Sequence, residues 1–150
     1  MSRRGQIAMS DEEVVAFLEQ ERTVVVATNG PRGWPHVMPL WYAVRDGEVW
    51  AWTYAKSQKV RNVERDPRAT IQVEAGDRYE LLRGVSIEAD VVVHRDLGTV
   101  LPFGMELYAR YAGDFSSEIV EAQAPKRVCL QFVARRTASF DHRKLPVGVY

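Results

Sequence analysis

The chain of 150 residues has one cysteine, three histidines and no net charge. Cys129 therefore has no partner for an internal disulfide, and one cysteine with three histidines leaves too few ligands for a buried zinc site. Lys plus Arg and Asp plus Glu come to 20 each, so no overall basic surface for nucleic acid or anionic lipid is expected. No apolar run reaches the roughly 18–20 residues of a membrane span, and the opening MSRRGQIAM lacks the apolar core of a signal peptide. No G-x-G-x-x-G follows a strand pattern, which argues against a dinucleotide-binding fold. Neither G-x-S-x-G nor S-x-x-K is present to supply a hydrolase nucleophile. Internal repeats and low-complexity stretches are missing too. What remains, 46% apolar and 27% charged residues, is ordinary globular composition in a chain long enough for one domain with its own core. The expectation is a soluble, cytoplasmic domain with neither a nucleic-acid nor a membrane partner.

After nine residues that read as a flexible tail, Ser10 and Glu13 fit a capping box, and Val14, Val15, Phe17 and Leu18 recur at helical spacing. Residues 11–21 are thus expected to be an amphipathic helix, its acidic first turn suited to the helix dipole. The texture then turns β-branched. TVVVAT (23–28) predicts a strand, and Asn29-Gly30-Pro31-Arg32-Gly33 a turn. A second strand is expected over Trp34–Val44, reversed at Asp46-Gly47, with Glu48–Thr53 returning. Residues 57–66 predict a helix capped by Ser57 and stopped at Asp66-Pro67. Ala69–Glu74 and Tyr79–His94 read as strands around a Gly76-Asp77 turn, with Gly84 marking a bulge or a close approach. Weak helical patterns over 96–112 and 116–123 precede a last strand, Arg127–Arg135. Six hairpin-linked strands with short helices imply a mainly β fold, an antiparallel barrel rather than a parallel sheet.

Two segments carry candidate chemistry. In Thr53-Tyr54-Ala55-Lys56-Ser57-Gln58-Lys59, a strand leads into a helix whose first turn holds basic and hydroxyl groups. Free N–H groups at a helix start attract anions, and Lys56 and Lys59 add full charges, although such a turn can equally be a solvated, exposed surface. In Pro35-His36-Val37-Met38-Pro39-Leu40-Trp41, two prolines place a strand at a sheet edge or a bulge. The unpaired main chain there can hydrogen-bond a planar heterocycle while aromatics pack on it; equally, Trp34, Trp41 and Tyr42 can be packing residues. His36, His94 and His142 form no metal pattern and are expected in surface or hydrogen-bonded roles. Cys129, in a strand, reads as an inert buried thiol.

The order of these segments resembles the pyridoxamine-phosphate-oxidase-like split-barrel flavoproteins. The shared pattern runs from TVVVAT through G-x-P-H-V-x-P-x-W (33–41) and D-G-x-V-W-x-W-T (46–53) to S-Q-K-x-x-N-x-x-x-D-P-R (57–68) and a long strand with Arg83-Gly84. The ending Ser139-Phe140-Asp141-His142-Arg143-Lys144-Leu145 is similar to the S-W-D-x-R-K-L tail of the group B flavin/deazaflavin oxidoreductases. The likeness spans about residues 10–145. It implies a six-stranded, FMN-binding-like split β-barrel over residues 10–150, assembled as a homodimer with cofactor sites at the subunit interface. It further implies that Thr53, Lys56, Ser57 and Lys59 hold a cofactor phosphate, with Gln58 and Asn62 adjacent. His36, Val37, Met38, Pro39 and Trp41 would then lie along the tricyclic ring. Two departures stand out: the C-terminal basic substrate residues of true pyridoxamine-phosphate oxidases are not recognisable, and Leu97–Gly113 does not map, so it is expected to shape a different substrate pocket.

The function this implies is an oxidoreductase using reduced coenzyme F420, a deazaflavin, to deliver a hydride to an enone, quinone or tetrapyrrole acceptor. In such an enzyme the cofactor carries the hard chemistry and the protein orients it. An FMN-dependent oxidase or reductase on the same barrel is the alternative, as is a non-catalytic flavin- or haem-binding module. Basic groups beyond Lys56 and Lys59, with Arg61 and Arg65 available, would favour the polyanionic tail of the deazaflavin.

Overall fold

The computed structural model describes residues 2–149. Within the segment expected to be a tail, Arg3–Ile7 forms a short helix, α1. Helix α2 (Asp11–Gln20) begins with the capping box its sequence predicts: Ser10 Oγ accepts from the Glu13 N–H, and Glu13 Oε2 accepts from the Ser10 N–H at 2.7 Å. Its inner face buries Phe17 and Leu18. The remaining elements are β1 (Val24–Asn29), β2 (Pro35–Leu40), β3 (Tyr42–Arg45), β4 (Glu48–Tyr54), α3 (Gln58–Arg65), β5 (Arg68–Ala75), β6 (Arg83–His94), α4 (Leu97–Ala112), α5 (Ser117–Gln123) and β7 (Arg127–Asp141).

All strands pair antiparallel in one sheet of order β2-β1-β5-β6-β7-β4-β3, seven strands rather than the expected six. The difference arises at Trp41. Residues 35–40 pair with β1, Trp41 belongs to neither ladder, and Tyr42 onward pairs with β4. The expected strand over 34–44 is thus two strands, and Trp34 lies outside both. The two edges of the sheet are consecutive in sequence, so the curled sheet is bridged by the chain itself at Trp41 rather than by a continuous ladder. This is the split barrel that the resemblance implies.

Two further boundaries differ from expectation. The strand expected from Tyr79 starts at Arg83, because Tyr79–Leu81 forms a single 3₁₀ turn. Strand β7 runs on past Arg135 to Asp141, pairing its second half with the start of β6. A bulge between Glu88 and Ala89 lets the two long strands bend together. At the β3–β4 turn, Asp46 (φ 51°) and Gly47 (φ 76°) both have positive φ, the combination a two-residue hairpin requires. Gly84 marks a close approach: a Cβ there would sit 2.6 Å from the Phe140 ring.

Two cores result. Inside the barrel, Val24, Val26, Tyr42, Val49, Ile71, Val73, Val85, Leu130 and Phe132 pack with Phe17 and Leu18 of α2 and Val60 and Val63 of α3. The alternating burial of β5 is the pattern of a strand with one face inward. Outside, α4 and α5 cover β3, β4 and β7 around Ala43, Trp52, Phe103, Leu107, Val120 and Cys129. Burial pushes the Cys129 thiol up to about 12, consistent with an inert core residue. No helix among the described residues is long and apolar enough to cross a membrane.

Candidate functional site

The β4–α3 connection gathers most of the expected phosphate residues. Ala55 N–H donates to Lys126 O at 2.9 Å, tying the turn to the start of β7, and Ser57 N–H closes it on Tyr54 O. Helix α3 then starts against the barrel, since Val60 and Val63 must reach the core. That register carries Lys59 inward. It is 8% exposed, against the expectation of an exposed first-turn lysine, and its Nζ donates to Thr53 Oγ1 at 3.0 Å. Burial lowers the pKa of Lys59 below the ordinary lysine value, and the nearby Arg127 guanidinium lowers it further. No carboxylate pairs with Lys59 among the described residues, so a buried cation is left with a neutral partner. Such a group is costly unless an anion joins it.

Ser57 stands at the N-cap position of α3, but its hydroxyl makes no cap bond, contrary to expectation; Oγ is buried and has no hydrogen-bond partner. Buried polar groups are nearly always satisfied, so an orphan hydroxyl beside a buried lysine and a helix start is an observation that fits a phosphate. Asn62 has a different job. Its Nδ2 donates to Thr28 Oγ1 at 3.0 Å, fastening α3 to β1, while Gln58 Nε2 donates to its Oδ1 at 2.8 Å. Lys56 is exposed at the turn.

Strand β2 is an edge strand, as its two prolines predict. Val37, Met38 and Pro39 are exposed, and His36 is half-buried with its Nδ1 lacking a partner. Trp34 and Trp41 at its two ends are 74% and 50% exposed, so an apolar band lines this edge. His36 and Gln58 share a cleft of about 380 Å³ with Trp34 and the 30–32 turn. At the other end of β2, Leu40 and Trp41 join Trp52, Tyr108, Gln123 and Arg127 around a smaller cavity of about 170 Å³. Trp41 is held by stacking on Tyr111 of α4, ring centroids 4.6 Å apart. The segment that did not map therefore supplies one wall of this second cavity. A larger groove of about 550 Å³ on the sheet, including Ala27, Thr70, Glu88 and Arg135, contains none of the expected site residues.

One residue of this region escaped sequence reasoning. Arg127 opens β7 directly opposite Tyr54, and its guanidinium lies 3.8 Å from the centre of the Tyr54 ring. Only the β4–β7 register brings it to the site; nothing local distinguishes it from any strand-initial arginine. Of the other basic candidates, Arg65 donates to Asn29 O, whereas Arg61 is exposed. His94 hydrogen-bonds Gln131 and His142 meets Tyr79 O, the hydrogen-bonded roles expected of them.

The tail Ser139–Leu145 is structural in this chain. Asp141 is buried and accepts from Arg143 N, Nε and Nη2, and Lys144 Nζ reaches Glu13 Oε2 and Ala8 O. Ser139 Oγ accepts from the Met9 N–H. The Lys144 and Ser139 bonds fasten this segment to residues 8–13, while the Asp141–Arg143 bonds hold its own turn.

Comparison with known proteins agrees with this architecture. The pyridoxamine 5'-phosphate oxidase family profile matches residues 10–140. A conserved hypothetical protein from Mycobacterium tuberculosis is 43% identical, with a TM-score of 0.89 over 97% of this chain and 94% of that one. An F420 reductase is 23% identical, with a TM-score of 0.69 over 82% of this chain and 94% of that one. An FAD-binding protein from Mesorhizobium loti is 18% identical, with a TM-score of 0.67 over 88% and 92% of the two chains. No curated protein matches the sequence.

Proposed function

The chain belongs to the pyridoxamine 5'-phosphate oxidase family, and from that premise we propose that it is an oxidoreductase using reduced coenzyme F420 on an electron-poor small molecule. The observation that carries the reading is the buried, carboxylate-free pairing of Lys59 with Thr53 beside the orphan Ser57 hydroxyl. Lys59, Ser57 and Thr53 would hold the cofactor phosphate. The edge of β2, from His36 through Val37, Met38 and Pro39 to Trp41, would receive the ring. Lys56 and Arg61, exposed at the same helix start, are placed to meet an anionic tail longer than a single phosphate. That surplus of positive charge favours the deazaflavin over FMN, which the phosphate residues alone would suit equally.

When bound, the reduced deazaflavin supplies a hydride to an electron-poor carbon of the acceptor, which takes up a proton to complete a two-electron reduction. The protein's part is orientation and exclusion of water. Lys59 neutralises the phosphate and fixes one end of the cofactor. The apolar side chains of Val37, Met38 and Trp41 would pack on the ring and exclude water from it. A second copy of the chain would cover the exposed β2 band and complete each site, as symmetric dimers commonly do.

The test is titration of the purified protein with F420, FMN and FAD, followed by anaerobic turnover with enones, quinones and tetrapyrroles. Tightest binding of F420 with F420H2-dependent reduction of at least one acceptor is expected. Preferential, retained FMN would transfer the reading to a flavin enzyme. Tight binding with no turnover of any acceptor would make the protein a cofactor-binding module.

A further inference from the structure

Arg127 presents an unspent cation to a cavity walled by aromatic rings. Its guanidinium lies over Tyr54 and 5.1 Å from the centre of the Trp52 ring. Nη2 donates to Gln123 Oε1 at 3.0 Å, while Nε is buried and meets no partner. No carboxylate pairs with it among the described residues. Gln123 is itself anchored, donating through Nε2 to Tyr108 Oη at 3.0 Å. Because that phenol oxygen accepts from Gln123, its own proton is free to donate. Two donors, a guanidinium N–H and a phenol O–H, thus belong to one polar end of a cavity whose other walls are Leu40, Trp41 and Trp52.

Apolar walls with a few convergent donors are the anatomy of a small-molecule site. The donors favour an anion, and the planar guanidinium matches a carboxylate in particular. The flat walls favour a ring, and about 170 Å³ admits a single ring with its substituent rather than a tricycle. We propose that this cavity, between the end of β2 and helices α4 and α5, binds the carboxylate-bearing aromatic ring of the acceptor, with Arg127 and Tyr108 as its carboxylate ligands. The cavity opens where β2 ends, so a ring seated there adjoins the ring site along that strand. The assignment rests on the oxidoreductase reading only for the word acceptor; the binding site stands on its own geometry.

The experiment uses para-fluorobenzoate and para-fluorobenzamide as probes, followed by fluorine NMR on the protein without cofactor. The benzoate is expected to bind at least about tenfold tighter than the neutral amide, the scale of a charge-assisted hydrogen bond. Arg127→Gln should remove that preference, and Tyr108→Phe, which keeps the ring packing, should weaken the benzoate several-fold. F420 affinity, measured separately by fluorescence, should change by less than about threefold in Tyr108→Phe, because a single uncharged donor outside the phosphate site is lost. Equal binding of the two probes, or a benzoate affinity unchanged by both substitutions, overturns the proposal. So does a Tyr108→Phe variant that loses F420 while keeping the benzoate, since the cavity would then belong to the cofactor. Failure of the wild-type protein to bind F420 or any flavin would refute the oxidoreductase reading and leave the benzoate result standing.

Discussion

Replacing Lys59 with methionine separates the roles of this residue in folding and in binding. Methionine keeps an unbranched stem of similar length in the slot between α3 and β4, so no large cavity opens. Two effects then oppose each other in the protein without cofactor. Thr53 Oγ1 loses its donor, a cost of about 1–3 kcal/mol for a buried unsatisfied group. Against this, a buried ammonium, whose charged form burial and Arg127 both disfavour, is removed. The two effects have opposite sign, so the net loss of unfolding free energy near neutral pH is expected to be smaller than the roughly 1–3 kcal/mol of the unsatisfied hydroxyl alone. Binding has no such compensation. A charge-assisted contact to phosphate contributes about 1.5–3 kcal/mol, so the affinities for F420 and FMN should both fall by about ten- to over a hundredfold. The pH dependence has a definite sign. The folded-state pKa of Lys59 lies below its ordinary value of 10.5, so between the two the unfolded chain binds more protons. Wild-type stability from this group should therefore rise with pH across that window, and the methionine variant should lack the rise. Urea unfolding at neutral and alkaline pH, with fluorescence titration of F420, measures both arms. A variant that binds both cofactors as tightly as wild type refutes the phosphate assignment. One that unfolds several kcal/mol earlier makes Lys59 a structural residue.

Three other outcomes are expected. Gly104→Ala should destabilise the fold by about 1–3 kcal/mol despite the helix-propensity gain, because its Cβ would meet the Trp52 ring at 2.5 Å and Val120 at 2.8 Å; thermal unfolding with near-ultraviolet dichroism of the tryptophans reads this. Asp141→Asn should cost about 1–3 kcal/mol near neutral pH, the value of charged hydrogen bonds to a buried carboxylate. Arg143 holds the pKa of Asp141 below its ordinary 3.8, so this contribution is present above that value and is lost as pH falls through the folded pKa; the stability gap between wild type and variant should shrink in acid. Light scattering at micromolar concentration should give a dimer, because the β2 band exposes Trp34, Val37, Met38 and Trp41; a monomer with F420 bound would refute the shared site.

Sequence periodicity and punctuation determined the elements themselves. The capping box at Ser10 and Glu13, the Asp46-Gly47 reversal and the alternation of β5 each act within a few residues, so each is legible locally. The prolines of β2 announced an edge because a missing N–H cannot serve an interior ladder. The hairpin-linked order of these elements implied an antiparallel barrel, and the resemblance made it a split one.

What the tertiary structure decided depends on contacts between segments far apart in sequence. The break at Trp41 has no local signature, since β-rich residues flank it on both sides; only the curl of the sheet makes one stretch pair with β1 and the next with β4. Lys59 reads as exposed from its place in a first turn, and it is buried because Val60 and Val63 beside it pull that face of α3 onto the core. Arg127 joins the site through a register with Tyr54, across a separation of nearly half the chain between β4 and β7. Gln123 bonds Arg127 from four residues away, but Tyr108 reaches Gln123 only because α4 folds back over the outer face of the sheet. Hydrogen-bonding and turn preferences are local and survive in a linear reading. Desolvation, which turns an ordinary lysine or arginine into an anion-seeking one, depends on everything packed around the charge, and that is set only when the chain has folded.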